Sequence, residues 1–156
     1  MSLDLELQLA VSGAGIPPPA DFQRWAEAAL AGRREVAELV VRIVDEAESA
    51  QLNERFRGKT GPTNVLSFPF RAPPPVRSDL LGDLVICAPV VRREALEQGK
   101  QASAHWAHML VHGVLHLLGY DHLEEVEAQR MEALERQILA GLGFADPYAD
   151  EVSAAG

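Results

Sequence analysis

Leu3, Leu5, Leu7, Leu9 and Val11 alternate with Asp4, Glu6, Gln8 and Ala10. A period of two predicts a half-buried strand. Residues 13–19 follow with three consecutive prolines, Pro17 to Pro19. Proline lacks the N–H that a helix interior or a central strand needs, so this stretch is expected to be a loop. Phe22, Trp25, Ala26, Ala29 and Leu30 then recur at helical spacing, with Asp21 as the expected cap and Gly32 as the stop. The aromatic rings on this helix are assigned to core packing. The Val- and Ile-rich run 38–45 predicts a second strand, 46 to about 55 a short helix, and 58–62 a turn. Residues 64–70 predict a third strand, 72–78 a loop holding Pro73 to Pro75, and 80–87 a fourth strand.

Pro89 suits the first position of a helix that runs to Gln98 and stops at Gly99. From Gln101 to Leu118 only Gly113 interrupts a run of helix-compatible residues. After His122 come Glu124, Glu125 and Glu127, where a helix N-terminus favours negative charge. Val126, Met131, Leu134, Ile138 and Leu142 give that last helix an apolar face. Asp146, Pro147 and Tyr148 close the part expected to be ordered, at about residue 150. Four strands and five helices in mixed order, with no internal repeat, predict one α+β domain over residues 1–156.

Composition narrows this little. Of 156 residues, 47% are hydrophobic and 24% charged, as in ordinary soluble domains. No apolar run is long enough to span a bilayer, and no membrane partner is expected. The opening Met1 to Glu6 has neither a basic leader nor an apolar stretch, so export is not expected and the cytoplasm is. A lone cysteine, Cys87, fits a reducing compartment and lies in a hydrophobic stretch as a core thiol. The net charge of −9 argues against a general nucleic-acid binder. Most of that charge belongs to the C-terminal part: 9 acidic but only 2 basic residues follow Lys100. A local basic site near Arg55, Arg57, Lys59 and Arg71 is compatible with the rest.

The chemistry concentrates in one stretch. Three of five histidines, His112, His116 and His122, fall within eleven residues. Four residues is a little over one helical turn, so His112 and His116 project from one face, about 6 Å apart along the axis. Six more residues of helix would carry His122 about 240° around the cylinder. The helix must therefore stop and the chain turn back. Gly119 stands where a left-handed residue would end it, a conformation glycine takes without a Cβ penalty. Two imidazoles on a helix, a turn and a third imidazole are the ligand set of a catalytic zinc with one open position, one ion per chain.

This string resembles the HExxHxxGxxH signature of metzincin proteases, except that Gly113 replaces the glutamate that acts there as general base. A metal hydrolase other than a peptidase is the implication. The longer string from His108 through His112 and His116 to His122 resembles the YbeY family of bacterial endoribonucleases, the ribosomal RNA maturation factors. Two further blocks match the same family: Leu52, Asn53 and Arg57 with Thr63 to Pro69, and Leu81 to Ile86. The resemblance covers residues 52 to about 148. It implies a zincin-like α+β domain with a mixed four-stranded sheet. It also implies a zinc-dependent, single-strand-specific endoribonuclease acting in 16S ribosomal RNA 3′-end maturation and ribosome quality control. The implied partners are single-stranded RNA, a ribosomal RNA precursor, small-subunit ribosomal proteins and an assembly GTPase.

Arg57 matches the family's arginine and is the expected catalytic cation, since a guanidinium holds phosphate by a bidentate fork. His108, one turn before His112, either orients a ligand or touches substrate, or is a partly exposed structural histidine. His105 is expected at the surface. Asp121 is either a proton acceptor or a turn aspartate. Thr63, Asn64 and Ser67 either line the cleft or merely form the polar face of a strand. The general base stays open between metal-bound hydroxide, Asp121 and the substrate's own 2′-hydroxyl. Two rival classes also stay open: a metal hydrolase of another substrate, and a ribosome-assembly factor with a structural metal.

Overall fold

The computed structural model describes residues 1–13, 15–70, 73, 78–121 and 123–149. His122, Arg71, most of the 72–78 loop and the C-terminal residues from 150 lie outside these. Among the described residues there are four strands and five helices, as the pattern predicts. They are β1 (Ser2–Leu9), α1 (Pro19–Leu30), β2 (Val36–Val44), α2 (Glu46–Arg57), β3 (Val65–Pro69), β4 (Leu80–Cys87), α3 (Ala88–Glu97), α4 (Ala102–Leu117) and α5 (Glu125–Gly141).

Strand order is β1-β2-β4-β3. β1, β2 and β4 run parallel, and β3 pairs antiparallel with β4 along the edge. The sheet is mixed and the fold is α+β. β1 alternates between half-buried and exposed positions up to Leu7 and loses the pattern at its end, where Leu9 is exposed, whereas the inner strand β4 is buried at nearly every position, as a strand covered on both faces must be. One face carries the main core, where Phe22, Trp25, Leu39, Ile43, Leu84, Trp106, Leu110 and Leu115 meet. A smaller cluster of Val44, Leu66, Val85, Cys87 and Val90 lies apart from it, with Leu52 and Phe68 packed against it.

Helix boundaries shift where capping overrides the apolar period. Asp21 is not the cap of α1. The helix begins at Pro19, whose fixed φ suits a first position, and Asp21 sits in the first turn. α2 runs two residues past the predicted end, to Arg57, because its stop is Gly58 in the left-handed conformation at φ 67°. Val126, predicted on the apolar face of α5, is exposed; so is Phe56 on α2.

α4 is the central helix. It packs against α1, α3, α5, β3 and β4, and is buried on almost every side. A helix that is apolar all round belongs in the interior. That environment corrects the reading of His105. It is buried at 3% exposure, and its Nε2 lies 2.9 Å from Glu94 on α3. The surface was the wrong place for it because α3 closes over that side of α4.

Candidate active site

α4 ends at Leu117, and Gly119 has φ 104°. The Gly119 N–H donates to the His116 carbonyl at 3.0 Å and the Tyr120 N–H to the Leu115 carbonyl at 3.0 Å. These bonds satisfy the last carbonyls and end the helix, as the glycine predicts. His112 and His116 lie on one face of the helix with ring centroids 4.6 Å apart.

Both rings face a cleft of about 550 Å³ that also brings together Arg57, Asn64, Ser67 and Asp121. Phe56, Phe68 and Leu123 supply apolar wall. Arg57 arrives at the C-terminal end of α2 and is exposed. The turn that follows α2 is pinned by side chains of that helix. There Asn53 donates from its side chain to the Gly61 carbonyl at 2.8 Å. Ser49 Oγ donates to the Thr63 carbonyl and accepts from the Thr63 N–H, each at 3.0 Å. Thr63 thus anchors the loop through its backbone and does not line the cleft. Asn64 lines it, and its amide donates to Glu94 at 3.2 Å. Ser67 Oγ donates to the Gly113 carbonyl at 3.4 Å, joining β3 to α4.

Gly113 has a packing reason. A Cβ there would lie 2.7 Å from Leu84 Cδ2, 3.1 Å from Leu84 Cδ1 and 3.3 Å from Val65 Cγ2. The helix lies so close to β3 and β4 that any side chain at this position would have to displace Leu84.

Behind His112 stands a group that the sequence reading missed. Glu135 of α5 is 1% exposed. Its Oε2 lies 2.5 Å from His108 Nε2 and 3.3 Å from His112 Nδ1. The Tyr148 hydroxyl donates to both of its carboxylate oxygens, at 3.1 and 3.2 Å. Burial pushes the Glu135 carboxyl up. Hydrogen bonds from His108 and His112 outweigh burial and hold it at about 2. Burial first, then the charge of Glu135, pushes the Tyr148 phenol far above its ordinary range, so it stays a donor. Ligand-type atoms of His108, His112 and Glu135 lie within 4.8 Å of one another, a group able to hold a metal ion. A signal for Glu135 was present. It sits at helical spacing among Met131, Ile138 and Leu139, a carboxylate on the buried stripe of α5.

An α+β fold with imidazoles on its central helix, facing an open cleft lined also by an arginine, is an arrangement suited to a histidine-based hydrolase. Comparison with known proteins narrows this. Residues 17–143 match the family described as Endoribonuclease YbeY. An Endoribonuclease YbeY of Nitrosococcus oceani is 59% identical over 150 residues, covering 95% of this chain and 98% of that protein. One from Alkalilimnicola ehrlichii is 62% identical over 152 residues, covering 94% and 92%. A Thermotoga maritima protein solved in solution shares the fold with a TM-score of 0.61, at 24% identity and with 95% and 93% coverage. The chain belongs to the YbeY endoribonuclease family.

Proposed function

We propose that this chain is a single-domain, zinc-dependent endoribonuclease that cuts single-stranded RNA during maturation of the 16S ribosomal RNA 3′ end. Family membership supports an RNA-cleaving hydrolase that processes ribosomal RNA. The observation that carries the residue roles is the meeting of Arg57 with His112 and His116 in one cleft.

His112, His116 and His122 would hold the ion. The donor set fits a divalent metal, because imidazole nitrogens suit zinc and His112 has a carboxylate on its Nδ1. Bound there, a metal would supply Lewis-acid polarisation of a phosphate oxygen. Arg57 meets the phosphate's charge and orients it by its planar fork. Asp121 borders the same cleft, which supports reading it as the proton acceptor. Phe56 and Phe68 form an edge-to-face pair with centroids 5.2 Å apart. Their rings give unpaired bases an apolar surface on which to stack, which suits single strands over duplex.

In the cell this activity belongs to the cytoplasm, beside precursor ribosomal RNA, small-subunit ribosomal proteins and an assembly GTPase. Among the described residues no helix is long and apolar enough to cross a membrane.

The test is metal content measured together with cleavage of defined RNAs and of a peptide control, with and without zinc. Metal-dependent cleavage of single-stranded RNA, with the peptide intact, is the expected result. His116→Ala should lose the ion. Unchanged stoichiometry and affinity in that variant would overturn the ligand assignment.

A further inference from the structure

We infer that Glu135 is a positioning residue for His112: it holds the imidazole in the tautomer with the proton on Nδ1 and the lone pair on Nε2. This rests on the reading of His112 as a metal ligand.

Three donors converge on one buried carboxylate. The Tyr148 hydroxyl bonds both oxygens, and His108 Nε2 reaches Oε2 at 2.5 Å. His108 Nδ1 is buried and has no hydrogen-bond partner among the described residues. A proton there would be an unsatisfied donor, so the His108 proton belongs on Nε2, toward Glu135. An ionised carboxylate offers only acceptors. At the 3.3 Å contact with Glu135, His112 Nδ1 must therefore be the donor. That leaves Nε2 as the nitrogen with a lone pair, on a ring that lines the cleft. Carboxylates placed in this way fix the ring and raise the basicity of a ligating imidazole.

The same three residues could instead hold the ion themselves. Geometry argues against it. Two ligand atoms on one tetrahedral zinc sit roughly 3.3 Å apart, given bonds of about 2.0–2.1 Å. His112 Nδ1 and Glu135 Oε2, at 3.3 Å, fit either role, but His108 Nε2 and Glu135 Oε2 are 2.5 Å apart, too close for two ligands of one ion.

The experiment is long-range ¹H–¹⁵N correlation of the imidazoles in the metal-free full chain, with zinc affinity measured beside it. In the wild-type protein His112 should show its proton on Nδ1. A proton on Nε2 overturns the proposal whatever the variants do. Glu135→Gln should shift His112 toward the Nε2–H tautomer and weaken zinc by about 10- to 100-fold, with stoichiometry still one. Tyr148→Phe leaves the Glu135–His112 contact in place and should retain the wild-type tautomer and nearly wild-type affinity. An equal loss in both variants would make the cluster merely structural and overturn the proposal. If Glu135→Gln abolishes zinc while His116→Ala keeps it, the ion lies between His108, His112 and Glu135, and the proposal falls. If His116→Ala keeps zinc while the wild-type tautomer is as stated, it is the ligand assignment that fails, separately from the role of Glu135.

Discussion

Gly113 rests on Leu84: a Cβ on the glycine would come within 2.7 Å of one leucine methyl and 3.1 Å of the other. Leu84 is fully buried in the middle of β4, so it has little room to yield. The position that carries a catalytic glutamate in metzincin proteases is here a contact between helix and sheet. The missing base is thus a consequence of how closely α4 approaches the sheet. Gly113→Ala gains about 1 kcal/mol of helix propensity but meets an overpacking cost of about 1–3 kcal/mol. The expected net loss is about 1 kcal/mol, read from urea midpoints. Pairing it with Leu84→Ala should cost less than the two single changes added together. Strict additivity of the two would sink this account.

Glu94 makes stability depend on pH at the other end of the histidine row. It accepts from His105 at 2.9 Å and from Asn64 at 3.2 Å. Burial pushes its carboxyl up, but the bonds from His105 and Asn64 win and hold it below its ordinary 4.5. A carboxyl lowered by folding contributes stability that is complete above the unfolded value and lost as pH falls through the folded one. Between about pH 6 and about pH 3.5 the wild-type protein should therefore lose more stability than Glu94→Gln. Denaturant melts across that range check it, and parallel pH profiles would count against it.

Phe56 is 56% exposed beside Phe68 at the cleft, with the Arg55 guanidinium 5.3 Å from its ring centroid. If it stacks a base, Phe56→Ala should weaken single-stranded RNA by about 1–3 kcal/mol, with folding stability almost unchanged. Phe56→Trp should retain binding and have its fluorescence quenched by RNA. Fluorescence anisotropy with a labelled oligonucleotide reads the first effect. Full affinity in the alanine variant would make the ring a bystander.

What the sequence made legible follows from where the physics is local. Alternation in β1 and the helical period of α1 predict those elements directly, and Gly119 marks the end of α4 because a left-handed turn there needs glycine. Strand order was out of reach, since nothing local says that β4 lies between β2 and β3. His105 and Glu135 were misjudged or missed for one reason. Each is a polar residue whose burial depends on a partner from another helix, Glu94 on α3 for one and His108 and His112 on α4 for the other. Val126 failed in the opposite direction, an apolar side chain left outside a core that did not need it.

Arg57 carries the last prediction. It lies in the last turn of α2, where a cation is favoured by the helix dipole, and it lines the cleft together with His112 and His116. Gly58 ends the helix directly after it, so the position of the side chain does not depend on a long loop. Because the residue is exposed, Arg57→Ala should change folding stability by no more than about 0.5 kcal/mol and leave metal content intact. Loss of a group that meets charge developing on the phosphate should lower kcat by roughly 10²- to 10³-fold. Arg57→Lys should recover only part of this, because lysine restores the charge without the planar fork. Single-turnover cleavage of a single-stranded RNA, with metal analysis and a thermal melt on the same preparations, separates the outcomes. Full cleavage by Arg57→Ala would return the residue to the solvated surface, and unfolding of that variant would make it part of the scaffold.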